Sequence, residues 1–153
     1  MSRQVPTDTP VLETPPAAVR AWTELLRGHS AATRLLSAEL QRTHGLTIND
    51  FEALSTLAAA EGGRLRRVDL ARRLMLTASG VTRLLEGLEA AGLVERAECP
   101  ADLRVTYAQL TEAGREKLRD ASCGHTGSVR TLFEERLDED ELDTLAKLLA
   151  RLG

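Results

Sequence analysis

Apolar residues recur at helical spacing from Ala17 onward. Val19, Trp22, Leu26, Leu36 and Leu40 mark one stripe, and Leu25, Ala32 and Leu35 mark a second. A helix apolar on more than one side is expected to pack on its own domain and on a second subunit. The pattern predicts a long first helix that ends near His44-Gly45. Thr47, with Asp50 three residues on, reads as the cap of a second helix. Its expected buried face is Phe51, Leu54, Leu57 and Ala58, and Glu61-Gly62-Gly63 ends it. A short helix from about Arg67 to Leu74 follows, with Val68, Leu70, Ala71 and Leu74 as its buried positions. Met75-Leu76 turns the chain, and the next helix runs from about Ala78 to Ala91, burying Val81, Leu84, Leu85 and Leu88. Two short helices joined by such a turn fit a helix-turn-helix, and equally any helical hairpin in a bundle.

The next segment changes period. Leu93-Val94-Glu95-Arg96 and Val105 to Leu110 have strand composition, and Cys99-Pro100-Ala101-Asp102 carries the turn signals between them. A hairpin directly after a helix pair decides for a winged helix-turn-helix over a plain bundle. Thr111, with Glu112, then caps a helix carrying Leu118, Ala121, Val129, Leu132 and Phe133. Gly124 and Gly127 predict a bend or break in its middle. Asp138 with Glu141 opens the last helix, whose stripe is Leu142, Leu145, Leu148, Leu149 and Leu152. Pro15-Pro16 is a helix-entry signal, and residues 1–14 read as a disordered tail. The expected class is mainly α with a small β-hairpin wing.

Composition sharpens this picture in three ways. Aromatic residues are only 3% of the 153, so the core is built from Leu, Ala and Val, which favours helices. No apolar run approaches a membrane span, the amino terminus lacks a signal-peptide pattern, and Cys99 and Cys123 make no disulfide framework. A cytoplasmic protein with no membrane partner is the expectation. The net charge of −3 argues against nucleic acid until its distribution is read. Residues 62–107 hold eight arginines, no lysine and six acids, a net +2 that leaves −5 for the rest.

Candidate chemistry concentrates in that basic segment. Thr77, Ser79, Gly80 and Thr82 cluster where a helix begins, and hydroxyls there suit phosphate contacts because free backbone N–H groups point the same way. Arg83, one turn in, can reach a guanine edge in a major groove. Arg66 and Arg67, with Arg64, Arg72 and Arg73, flank the first helix of the pair and would supply salt-sensitive, sequence-blind affinity. Asp102 and Arg104, two apart on an extended segment, would share a face, so that the carboxylate orients the guanidinium at the wing. Catalysis, a cofactor and a metal are not expected. His29, His44 and His125 are scattered, Cys123-x-His125 is no zinc spacing, and neither a phosphate loop nor a nucleophile motif occurs. Glu98 and Asp102 beside Cys99 disfavour a thiolate, which weighs an inert thiol above a redox sensor.

The chain resembles the MarR family of bacterial transcription regulators from about Ala17 to Leu152. The resemblance is carried by Leu76-Thr77-Ala78-Ser79-Gly80-Val81-Thr82-Arg83-Leu84-Leu85, by residues 88–96, by Asp102-Leu103-Arg104, and by Leu110-Thr111-Glu112-Ala113-Gly114. It implies a single domain over 15–153, with a winged helix-turn-helix at 46–110 and helices at 15–45 and 111–153 that form a dimerisation layer. It further implies a homodimer on a palindromic double-stranded DNA operator, acting as a repressor that a small aromatic or anionic effector releases. Arg20, Trp22 and His29 are candidates to line an effector pocket; the competing reading makes Trp22 core. Two departures stand out. Gly87 occupies a place where the family often has a basic residue, and Leu103 replaces an arginine often found between the wing Asp and Arg.

Overall fold

A computed structural model describes residues 14–99 and 102–152, with the backbone alone for Cys99 and residues 102–104. The expected tail, apart from Thr14, and Pro100-Ala101 of the expected turn lie outside the described residues. The chain divides into two compact units, one reaching Ala31 and one starting at Ala32.

In the first unit the chain enters helix α1 (Ala17–His44) from the Pro15-Pro16 signal. The N–H groups of Val19 and Arg20 donate to the Pro16 carbonyl at 2.9 and 3.1 Å. The apolar positions here are open: Val19 is 50% exposed and Trp22 60%. Among the described residues Trp22 thus stands exposed rather than buried.

The second unit begins with the rest of α1, which buries Leu40 and ends where Gly45 takes a left-handed φ of 67°. Helix α2 (Ile48–Ala58) starts at a reciprocal capping box between Thr47 and Asp50, as the sequence predicts. Its buried face is Ala53, Leu54 and Leu57; Phe51 is half-buried and Ala58 is exposed, so the true face lies further round the helix than the predicted one. Glu61–Gly63 forms a 3-10 turn that leads into strand β1 (Arg64–Arg66). Helix α3 (Arg67–Arg73) buries Leu70 and Ala71. Val68, predicted buried, is exposed, because it lies roughly 200° round the helix from Leu70. Helix α4 (Ala78–Ala90) buries Val81, Leu85 and Leu88.

Strands β2 (Val94–Cys99) and β3 (Asp102–Leu110) form the predicted hairpin, longer than its apolar pattern suggests. The sheet has a third strand that the sequence pattern does not reveal. β1 pairs antiparallel with β3, Leu65 opposite Ala108, giving the order β1-β3-β2. Three residues reading Arg-Leu-Arg are too short to show a period, and only the partner strand makes them a strand. Helix α5 (Glu112–Glu134) is continuous through Gly124 and Gly127, contrary to the expected bend. Each glycine costs the helix only about 1 kcal/mol, and the Ser128 hydroxyl donates back to the Gly124 carbonyl at 3.1 Å. Helix α6 (Glu139–Leu149) opens with the Asp138–Glu141 capping box and buries no residue. Leu54, Leu57, Leu70, Leu85, Val94 and Leu110 centre the core, between α2, α3, α4 and the sheet. No described helix is long and apolar enough to cross a membrane.

Candidate nucleic-acid interface

The turn between α3 and α4 fixes the amino end of α4. Leu74 caps α3, Met75 takes a φ of 53°, and the Leu76 N–H returns to the Ala71 carbonyl at 2.9 Å. Met75 is 91% exposed. Thr77 is the cap: its Oγ1 accepts from the Gly80 N–H at 3.1 Å and lies 3.2 Å from the Ser79 hydroxyl. A side chain at position 80 would meet Thr77 Oγ1 at 3.1 Å, so Gly80 lets the cap close. With Val81, Leu85 and Leu88 holding the inner face, Ser79 and Arg83 are left on the exposed one, and Thr77 is exposed at the amino end. Thr82 is half-buried, and its hydroxyl donates to the Ala78 carbonyl at 2.8 Å. That leaves only the Thr82 oxygen lone pairs for a partner.

The arginines of α3 and β1 are not independent. Arg66 ends β1 and caps α3. Its Nε donates to Asp69 Oδ2 at 2.6 Å, while Arg72 Nη1 donates to Asp69 Oδ1 at 3.2 Å. The Arg66 hydrogen bond, chiefly, holds the Asp69 carboxyl below its ordinary range, with the charges of Arg66, Arg72 and Arg73 acting the same way against partial desolvation. The same hydrogen bond raises Arg66. Arg67 is half-buried and Arg73 exposed. Arg64 lies over the Tyr107 ring, 5.2 Å from its centre, a cation–π contact that ties β1 to β3. Taken one at a time, as flanking charges, these arginines do not reveal their cluster. Its signal is the spacing Arg66-x-x-Asp69-x-x-Arg72, which puts neighbours three apart on a helix.

At the wing, β2 and β3 stay paired to Cys99 opposite Asp102, with a register shift between Glu98 and Cys99. The side chains of Asp102 and Arg104, the expected wing pair, lie outside the described residues. The base of the wing is clipped to α5. The Thr111 N–H donates to the Leu93 carbonyl at 3.1 Å and its hydroxyl to the Gly92 carbonyl at 2.8 Å.

The expected effector residues lie on α1 in the first unit. Arg20 and His29 are exposed, and Arg20 Nη1 donates to the Pro15 carbonyl at 2.7 Å. Clefts of about 440 and 630 Å³ in the second unit are lined by other residues, among them Leu36, Gly127 and Ser128 in the smaller and Asp50, Gly87 and Lys117 in the larger. Among the described residues no three His, Cys, Asp or Glu side chains gather as a metal group would need.

Comparison with known proteins agrees with this geometry. The model of the MarR family matches residues 44–104. The HTH-type transcriptional repressor YetL of Bacillus subtilis is 32% identical over 108 residues, which cover 71% of this chain and 64% of YetL. The crystal structure of AbsC, a MarR family transcriptional regulator from Streptomyces coelicolor, is 35% identical, with a TM-score of 0.79 over 91% of this chain and 93% of AbsC. Sco3205, a MarR family regulator of the same organism solved in complex with DNA, is 28% identical, with a TM-score of 0.81 over 91% of this chain and 88% of its own. The chain belongs to the MarR family of transcriptional regulators.

Proposed function

We propose that this protein is a homodimeric repressor that binds a palindromic DNA operator and is released by a small aromatic or anionic effector. The observation that carries the DNA reading is the amino end of α4, capped, exposed and bearing Thr77, Ser79 and Arg83 opposite a fully packed inner face. Free N–H groups and hydroxyls there suit phosphate, and Arg83 suits a base edge. Sco3205, solved with DNA, supports the same reading. Residues 46–110 serve as the DNA-binding part.

The dimer reading rests on apolar surface. Val19, Trp22, Leu25, Leu26 and Leu35 on α1 and Leu148 and Leu149 on α6 are all exposed in the single chain. Such surface marks an interface, and 15–45 and 111–153 are its expected source. Two copies of α4 held about 34–36 Å apart would enter successive major grooves on one face of the duplex. Arg104 is assigned to the adjacent minor groove, where narrow A·T tracts attract arginine, and Asp102 is assigned to orient it. An effector acts by favouring a dimer geometry with the wrong spacing, and Arg20, Trp22 and His29 are its proposed contacts.

The test is a gel shift with the DNA upstream of the protein's own gene, run over a salt series, with and without aromatic acids. Salt-sensitive binding by a dimer is expected, and Arg104→Ala should remove most of it while leaving the dimer folded. Unchanged affinity in that variant would sink the wing assignment. A flat salt dependence would instead favour a module that binds protein.

A further inference from the structure

Asp69 occupies an unusual position on the basic face. It stands in the first turn of α3 with its side chain 22% exposed, between two arginines that are 53% and 75% exposed. Each carboxylate oxygen takes one arginine: Oδ2 accepts from Arg66 Nε and Oδ1 from Arg72 Nη1. Among the described residues Arg66 thus uses only its Nε, which leaves both of its terminal amino groups, while Arg72 keeps Nε and Nη2. A guanidinium has five N–H donors in a rigid plane, and a plane pinned at one edge presents the other in a fixed direction. The two arginines also come from different elements, since Arg66 ends β1 and Arg72 lies in the last turn of α3. One carboxylate therefore ties the sheet side of the motif to the carboxyl end of α3, close in sequence to the α4 cap.

We propose that Asp69 is a positioning residue for DNA binding, holding Arg66 and Arg72 so that their free edges meet two phosphates of the backbone beside α4. The proposal rests on the DNA-binding function given above. It runs against the simplest electrostatic expectation. Asp69 is a negative charge on a surface that must approach a polyanion, and its removal should by charge alone tighten binding. Preorganisation predicts the opposite, because two long side chains freed from the clamp must be ordered again on binding. The sign of the change separates the two.

The experiment measures affinity for the upstream duplex and for a random-sequence duplex, across a salt series, for the parent protein, Asp69→Asn, Asp69→Glu, Arg66→Ala and the Arg66→Ala/Asp69→Asn double variant. Asp69→Asn should weaken binding to both duplexes by about tenfold, the scale of reordering two rotamer-rich side chains. Its salt dependence should become shallower by up to about two phosphate contacts, at roughly 0.9 per contact. Asp69→Glu, which keeps the carboxylate, should recover most of the loss. In the cycle, Asp69→Asn should cost less when Arg66 is already absent. A merely structural role would lower the melting temperature without changing the salt slope, so melting curves accompany each variant. If Asp69→Asn binds as tightly as the parent or tighter, with an unchanged or steeper slope, the positioning role is overturned while the DNA function stands. If the parent itself binds neither duplex in a salt-dependent way, the DNA function fails and the proposal falls with it.

Discussion

Gly114→Ala tests the joint on which the wing hangs. Gly114 is buried at the start of α5, and its N–H donates to the Thr111 hydroxyl at 3.0 Å. A methyl group there would overlap the Leu93 carbonyl oxygen and lie 2.7 Å from Leu110 Cδ1. The carbonyl is backbone and cannot rotate away, so α5 must retreat from the base of β2 and β3. Overpacking of this kind costs about 1–3 kcal/mol, and loss of the Thr111 N–H bond to Leu93 adds about 1 kcal/mol. Replacing a helical glycine by alanine returns about 1 kcal/mol. The net loss is about 1–3 kcal/mol, or a melting temperature lower by roughly 3–10 °C for a chain of this size. Gly87→Ala is the control: a Cβ there meets nothing within 4 Å, so it should gain up to about 1 kcal/mol. Thermal melts by circular dichroism at matched protein concentration provide the readout, since oligomers melt in a concentration-dependent way. A Gly114→Ala protein that melts at or above the parent temperature would refute the packing argument.

Three further outcomes are expected. Arg83→Ala should relax base preference at one position per half-site in a binding-site selection; uniform weakening across sequences would make Arg83 a phosphate contact instead. Met75→Gly should raise stability by about 0.5–1 kcal/mol in denaturant titrations, because Met75 holds a φ of 53° and is exposed, so its side chain loses little packing; a less stable variant would show that the methionine makes a contact worth more than the strain. His125 packs against Phe51 with ring centres 4.5 Å apart, and its buried Nδ1 has no hydrogen-bond partner among the described residues. Burial lowers its pKa, with the Glu52 charge opposing. The folded state thus resists protonation more than the unfolded one, so its contribution is complete above about pH 6.5 and is lost as pH falls through the lower folded value. The melting temperature should drop between about pH 7.5 and pH 5.5 by more in the parent than in His125→Gln; equal drops would show that His125 is not responsible.

Much of the fold is legible in the chain because its signals are local. Thr47 with Asp50, Thr77, Thr111 and Asp138 with Glu141 all cap helices where their sequence neighbourhoods place them. A cap is made within three residues, so the sequence contains the whole interaction. The amino end of α4 is readable for the same reason: Thr77 is its cap, and the exposed Ser79 and Arg83, four residues apart, need only a 3.6-residue period to be assigned to one side. The bend expected at Gly124 and Gly127 fails because propensity is a weak force beside the packing of a long helix.

What tertiary structure alone decided involves partners distant in the chain. β1 exists because Arg64, Leu65 and Arg66 meet Gln109, Ala108 and Tyr107. Val68 and Ala58 face out because the core meets α3 and α2 from one side, a direction that periodicity cannot give. Trp22 is exposed among the described residues, although an aromatic residue on an apolar stripe reads as core. The requirement for glycine at 114 comes from the Leu93 carbonyl, supplied by a different element. The sequence by itself determined the helices, their caps and the exposed face of α4, since each is settled by residues within one turn. The third strand, the outward side chains and the joint at the wing base were decided by the fold, because each depends on groups that the backbone brings together from far apart.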